Sequence, residues 1–384
     1  MRRLVPLILG GAVALQLAAG FAPPRSSDDL YRYVWDGRIQ VAGIDPYRYP
    51  PAAPELREHR DPDFLWAPDG RWCAADGCTL INRPAVPTIY PPVAEAYFTV
   101  VHVLSPRDGR TGPMQFGAAL FALATTALLL WGGHGRSVAL WAWCPTVAVE
   151  AANNAHVDVL AAFLTALAIL LVARRRVWVG GAALGLAIAT KVTPLLVAPA
   201  LARRRPLAVA VAAVGAVLAV YAPHVAVVGP KVLGYLPGYL REEGYAGGRR
   251  FALLTLLVPG HWAAPVAAVI LALVAVWAAR AADPDRPWSA AAVVVGAALL
   301  VSAPGYPWYS LLLVLLAAAG GRAEWLGVAV AGSLVLYAAD IGLDTLLAQR
   351  LGYGAALAVV VAVAAWRRRT SAGAGLTSRP RSRP

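Results

Sequence analysis

Residues 4–22 read LVPLILGGAVALQLAAGFA, preceded by Arg2 and Arg3, and residues 28–38 read DDLYRYVWDGR. The first stretch is a nearly unbroken apolar run, long enough to cross most of the roughly 30 Å hydrocarbon layer as a helix. The second sets paired carboxylates, arginines and aromatics where such a helix would meet water. The apolar run exceeds the 7–15 residues or so of a signal-peptide core. It is therefore expected to remain as a first span, although Ala18-Ala19-Gly20 and Ala22 mimic a cleavage site.

The rest of the chain repeats this alternation. Of 384 residues, 59% are hydrophobic and 14% charged, against about 45–50% and 25% in soluble domains. Mean hydropathy is +0.59. Apolar segments recur at 91–104, 113–131, 138–151, 156–173, 177–190, 193–202, 207–228, 262–279, 288–303, 307–319, 324–339 and 353–366. Period-two alternation is lacking, which argues against a β-barrel. The expected fold is an all-α polytopic transmembrane protein of about 10–12 membrane helices. Residues 1–369 are read as one domain, with a large first extracytoplasmic loop at 23–88 and a second at 229–250, and 370–384 as a disordered basic cytoplasmic tail.

The net charge of +13 comes largely from arginine clusters that flank apolar runs: Arg2–Arg3, Arg174–Arg176, Arg203–Arg205 and Arg367–Arg369. Clusters of this kind mark cytoplasmic loops, so membrane lipid, not nucleic acid, is the expected partner. Two of them conflict. Arg174–Arg176 and Arg203–Arg205 both read as cytoplasmic, yet only about 27 residues separate them, and each full crossing needs about 20. Either the segment breaks at Lys191–Pro194 and re-enters, or one cluster lies on the other side.

The first loop holds ten of the 21 acidic residues. Its prolines, Trp35, Trp66 and Trp72 suggest an ordered loop with short interfacial helices. Asp29, Arg32, Tyr33 and Asp36 follow helical spacing and form one polar stripe. Cys73 and Cys78, around Asp76-Gly77, suit a small disulfide in an oxidising compartment. They make a poor zinc site. No cofactor is required, and the acidic loop leaves a divalent cation open.

Polar residues beside apolar runs are costly and few. Glu150, Asn153, Asn154, His156 and Asp158 sit at one joint; they are either an active-site lip or a polar interhelical turn. Lys191 is one of only two lysines, beside Lys231, among 34 basic residues. A compact ammonium serves as a point charge for phosphate, or it snorkels at a span end. Arg249 and Arg250 could hold a phosphate or simply flank the next apolar segment. Pro307-Trp308-Tyr309 suits an interfacial girdle or a groove for a lipid chain. No Walker loop, Rossmann fingerprint or His-Glu-x-x-His is present, so soluble nucleotide chemistry has no visible support.

Taken in order, Asp28-Asp29-x-x-Arg32-Tyr33-x-Trp35-Asp36-Gly37-Arg38, Gly43-Ile44-Asp45-Pro46-Tyr47, Thr88-Ile89-Tyr90-Pro91-Pro92, Asn154-Ala155-His156-Val157-Asp158 and Lys191-Val192-Thr193-Pro194 resemble the GT-C superfamily of polytopic glycosyltransferases. The resemblance is nearest to the actinobacterial polyprenol-phosphate-mannose-dependent mannosyltransferases. It implies a multi-pass cell-membrane enzyme with its active site on the extracytoplasmic face. Such an enzyme moves a sugar, with inversion, from a polyprenyl-phosphate donor to a cell-envelope glycan or glycolipid. The same resemblance makes Asp29 or Asp28 the catalytic base, places Lys191 with Arg249 or Arg250 at the donor phosphate, and sets Arg32, Asp36, Arg38, Tyr90, His156 and Asp158 around sugar and acceptor. Relatives often carry a Trp and an Asn in the second loop, where this chain has Glu-Glu-Gly-Tyr-Ala-Gly-Gly-Arg-Arg. A pentose donor such as arabinofuranose therefore stays open. A lipid-linked-glycan transporter is the alternative from another class; it would show repeat symmetry between its halves.

Overall fold

A computed structural model describes residues 4–74, 77–245 and 247–377. The Arg2–Arg3 cluster, Asp76 of the cysteine turn and residues 378–384 lie outside the described residues. Among the described residues the regular structure is helical except for one short hairpin, in which Trp72–Ala74 pairs antiparallel with Gly77–Thr79. This is an all-α polytopic membrane protein. Four helices are long and apolar enough to span a bilayer: Gly112–Trp131, Pro206–Glu242, Gly260–Ala281 and Thr345–Thr370. In the second of these only Pro206–Val228 is continuous α-helix, and the remainder belongs to the second loop. The bent pair Pro145–Asn153 and Asp158–Ala173, turned by 117° at its break, makes a fifth span. Six shorter apolar helices of 10–17 residues accompany them.

The four long helices, the bent pair and the six shorter ones make eleven apolar helical segments among the described residues, beside the 10–12 membrane helices expected from hydropathy. Prolines account for several of the shortened pieces. Pro194 and Pro307 each begin a new 3₁₀ turn after a break, because proline lacks the N–H a continuous helix needs. Such breaks are tolerated at membrane depth when protein covers them, and Pro194 and Pro307 are both buried.

Between the two arginine clusters the chain turns back on itself. Val177–Ile188 ends at Ala189, and a 3₁₀ turn at Thr193–Val197 leads into the short helix Ala198–Leu201. Arg204 Nη1 then donates to the Ala173 carbonyl at 2.9 Å, which brings both clusters to one end of the molecule. Arg174 stacks over the Trp131 ring at 3.5 Å beside them. Lys191 sits at the tip of this hairpin, a helix length away. The hairpin is fastened by close packing against Pro206–Val228. A Cβ on Gly181 would lie 2.6 Å from the Val209 carbonyl oxygen, and one on Gly185 2.3 Å from that of Ala213. Small residues four apart let helix backbones approach where lipid offers no hydrophobic driving force.

The first loop packs into the main core, against the helix that follows it. Its helix Asp29–Val41 buries Leu30, Tyr33, Val34, Trp35 and Ile39. Tyr33 stacks on Phe98 at 4.4 Å and meets Tyr90 edge-on at 4.9 Å. A 3₁₀ turn at Pro54–His59 follows, and Arg60 lies over Trp66 at 4.1 Å. Cys73 and Cys78 are joined as a disulfide across the hairpin. At the far end of the chain, the last helix, Thr345–Thr377, carries regular structure into the stretch expected as a tail.

Candidate active site

The two loops and the re-entrant tip enclose a cavity of about 720 Å³, within the usual range of about 300–1,000 Å³ for small-molecule sites. Asp28, Asp29, Arg32, Tyr90 and Lys191 line it, as do Arg25, Arg71, Asn82, Arg83, Tyr306, Trp308 and Tyr309. Its wall is apolar on the side of the second loop, where Val232, Leu233, Leu236 and Leu240 join Val192 in the lining.

The two aspartates differ in their free oxygens. Asp28 precedes the loop helix. One of its oxygens meets Arg71 Nη2 at 3.2 Å, and the other accepts from Trp72 Nε1 at 3.0 Å. Asp29 begins the helix, its backbone N–H tied to Ser27 Oγ at 3.1 Å. Asn82 Nδ2 donates to Asp29 Oδ1 at 2.5 Å. Among the described residues nothing donates a hydrogen bond to Asp29 Oδ2; it faces His156 Nδ1 at 3.7 Å.

Lys191 is held ready by a buried carboxylate. Its Nζ donates to Asp158 Oδ2 at 2.9 Å and lies 5.2 Å from the Tyr309 ring centre and 5.9 Å from that of Tyr90. Tyr309 in turn shares a hydrogen bond with Tyr239 of the second loop. Burial and nearby Glu243 raise the Tyr239 hydroxyl, so it stays protonated. Pro307-Trp308-Tyr309 is thus a cavity wall, with Trp308 stacked on Tyr306 at 4.8 Å.

Several residues expected at the site stand elsewhere. Asp36 is buried behind the stripe; it accepts from Arg32 Nε at 2.9 Å. Burial raises its carboxyl, with Arg32 and Thr88 opposing. Arg32 turns its remaining N–H groups to the Val86 carbonyl, at 3.2 Å from both Nη atoms, and so positions the segment that carries Asn82 and Tyr90. Arg38 bonds to Asp61, on the far side of the helix. Arg250 is buried against Glu243. Burial works most strongly against its charge, but Glu243 together with Tyr245, Tyr309 and Tyr239 outweighs it, and its pKa is raised. Arg249 is exposed, and neither of these two arginines lines the cavity. Asp158 and His156 are buried and reach the cavity only through Lys191 and Asp29. The asparagines of the same joint are structural: Asn153 Nδ2 donates to the carbonyls of Ala19, Ala22 and Pro23, and Asn154 Oδ1 accepts from the backbone of Arg25 and Ser26. Among the described residues no cluster of three or more His, Cys, Asp or Glu could hold a metal.

The chain matches the model of glycosyltransferase family 87 over residues 88–303, more than half its length. The chain belongs to glycosyltransferase family 87. Comparison with curated proteins gives no match. The family 87 segment contains Tyr90, His156, Asp158 and Lys191, whereas Asp28 and Asp29 lie upstream of it. As a family 87 glycosyltransferase of GT-C-like type, the protein acts on a sugar donor and an acceptor.

Asn82 and Arg83 are the residues that sequence reading missed. Both follow Ile81 in a stretch with no periodicity. The signal that could have found them is local: a single Asn-Arg pair among prolines and apolar residues, six before Thr88-Ile89-Tyr90.

Proposed function

We propose that this protein is an inverting, polyprenyl-phosphate-sugar-dependent transferase, most simply a mannosyltransferase, that glycosylates a cell-envelope glycan or glycolipid on the extracytoplasmic face of the cell membrane. One observation carries the reading: Asp29, whose Oδ2 accepts no hydrogen bond among the described residues, and Lys191, held in place by Asp158, line the same cavity. In this reading Asp29 Oδ2 takes the proton of the acceptor hydroxyl as its oxygen attacks the anomeric carbon, and the sugar–phosphate bond breaks on the opposite face. Lys191 stabilises the negative charge that develops on the departing phosphate. Arg83 and Arg25, which line the cavity, stand in for the arginines expected at 249 and 250.

The apolar wall formed by Val192, Leu233, Leu236 and Leu240 suits the first units of a polyprenyl chain. A lipid-anchored donor also fits the lack of any nucleotide-binding loop. Under this proposal residues 1–369 act as one domain, and the loops at 23–88 and 229–250 lie on the same outer side. Membranes containing the protein are incubated with radiolabelled polyprenyl-phosphate mannose, and in parallel with a polyprenyl-phosphate pentose. Label transferred to an acceptor from the first and not from the second supports the proposal. Transfer from neither donor overturns it.

A further inference from the structure

The His156 ring is fully buried, and among the described residues neither of its nitrogens has a hydrogen-bond partner. Its position is nonetheless closely defined. Nδ1 lies 3.7 Å from Asp29 Oδ2, and Nε2 lies 3.4 Å from Glu150 Oε2. The ring stacks on Trp308 at 3.9 Å and 18°, which fixes its plane between the two carboxylates. The backbone around it is unusual. Ala148–Asn153 is a π-helical turn, and Ala155, a non-glycine residue, has φ +53°. Strained or widened turns of this kind recur at functional sites. A buried imidazole that merely filled space would be better replaced by an apolar ring, since a buried polar group without a hydrogen-bond partner is destabilising.

We propose that His156 is a positioning and relay residue that moves the proton captured by Asp29 inward to Glu150, restoring the Asp29 carboxylate within the closed cavity. The inference rests on Asp29 being the base. The acceptor O–H bond breaks and its proton joins Asp29 Oδ2. That proton passes to His156 Nδ1 while the proton on Nε2 passes to Glu150 Oε2. Asp29 is again an anion, the imidazole is again neutral in its other tautomer, and Glu150 is a carboxylic acid. When product leaves and water enters, the proton returns by the same atoms. The separations of 3.7 and 3.4 Å must shorten by less than about 1 Å, and catalytic hydrogen bonds commonly tighten only once substrate is bound. The titratable groups around this path are Asp29, Glu150, Asp158 and Lys191.

Two measurements on the protein in lipid nanodiscs test this. The first follows sugar transfer from radiolabelled polyprenyl-phosphate mannose in D₂O/H₂O mixtures for the wild type, Glu150→Gln and His156→Gln. The expected result is a fall in kcat of about tenfold or more with KM unchanged, and a change from a curved to a linear proton inventory. The second needs no donor. Histidine ¹⁵N resonances report the His156 tautomer, expected as Nε2–H in the wild type and shifted toward Nδ1–H in the isosteric Glu150→Gln, because an amide oxygen accepts less strongly than the Asp29 carboxylate. An unchanged tautomer in Glu150→Gln overturns the relay, whether or not activity falls. So does an unchanged proton inventory in both variants. Asp29→Asn separates this outcome from the larger proposal: a relay that fails while Asp29→Asn still abolishes transfer leaves the base in place.

Discussion

Asp28 and Asp29 line one cavity, but only Asp29 has an oxygen to spare. Arg71 and Trp72 each contact one oxygen of Asp28, which ties the disulfide-bonded hairpin to the start of the loop helix. Asp29→Asn is therefore expected to lower kcat by at least about 10²-fold, the usual scale for a general base, with KM little changed. Asp28→Asn is expected to act mainly on KM, by loosening Arg71 and Trp72. Steady-state kinetics on the two variants checks this, and equal loss of kcat in both would remove the distinction. Lys191 rests on Asp158 at 2.9 Å with both largely buried. Removing one partner of a buried ion pair costs about 3–5 kcal/mol. Asp158→Ala is thus expected to lower the thermal transition as well as activity. Lys191→Gln should lower activity more than stability, since it removes the charge and leaves Asp158 a hydrogen-bond donor. Thermal melts and initial rates measured on both variants decide whether the pair behaves in this way.

At the scale of the elements, the second loop is latched to the first. Arg83 donates to Glu242 through Nε at 3.2 Å and Nη2 at 2.6 Å, and Tyr235 N donates to the Thr88 carbonyl at 3.2 Å. Gly234 makes this approach possible: its φ is +52°, and a Cβ would lie 1.8 Å from the Thr88 oxygen. Gly234→Ala is expected to spring the second loop away from the cavity, seen as faster hydrogen exchange over residues 229–245. Hydrogen bonding from Arg83 holds the Glu242 carboxyl below its ordinary value of 4.5. A lowered carboxylate stabilises the closed loop above that value and stops doing so as pH falls through its depressed range. Exchange protection of the second loop should therefore persist from neutral pH down to about 4.5 and be lost below it, and Glu242→Gln should abolish that pH dependence. The re-entrant hairpin is held by a different device, the glycine pair Gly181 and Gly185 against Pro206–Val228, and it is this packing that keeps Lys191 at the cavity.

The molecule as a whole places its chemistry where half-length helices meet. Hydropathy made the membrane class legible, because apolar runs near 20 residues match the thickness of a bilayer core, and the polar stripe of Asp29, Arg32 and Asp36 marked the loop helix. The arginine clusters posed the re-entry question but could not answer it, since the decisive contact, Arg204 to the Ala173 carbonyl, is tertiary. The site was legible where charge interrupted apolar sequence, as at Lys191, and illegible where it came from the loop's own fold, as at Asn82 and Arg83. Arg249 and Arg250 looked like phosphate ligands because adjacent arginines after glycines often are; their environment, Glu243 above all, lies in a turn no periodicity describes. The proposed orientation puts Arg71 outside the membrane and Arg175 inside. Arg71→Cys and Arg175→Cys should then react with a membrane-impermeant maleimide from opposite faces of sealed vesicles, and labelling of both from one face would contradict that orientation.

The central claim is that Asp29 activates the acceptor for sugar transfer from a lipid-phosphate donor. The direct test is the initial rate of label transfer from radiolabelled polyprenyl-phosphate mannose in vesicles holding equal amounts of wild type and Asp29→Asn. The account predicts transfer by the wild type and a loss of at least about 10²-fold in the variant, with donor binding retained. Transfer at the wild-type rate by Asp29→Asn would contradict it.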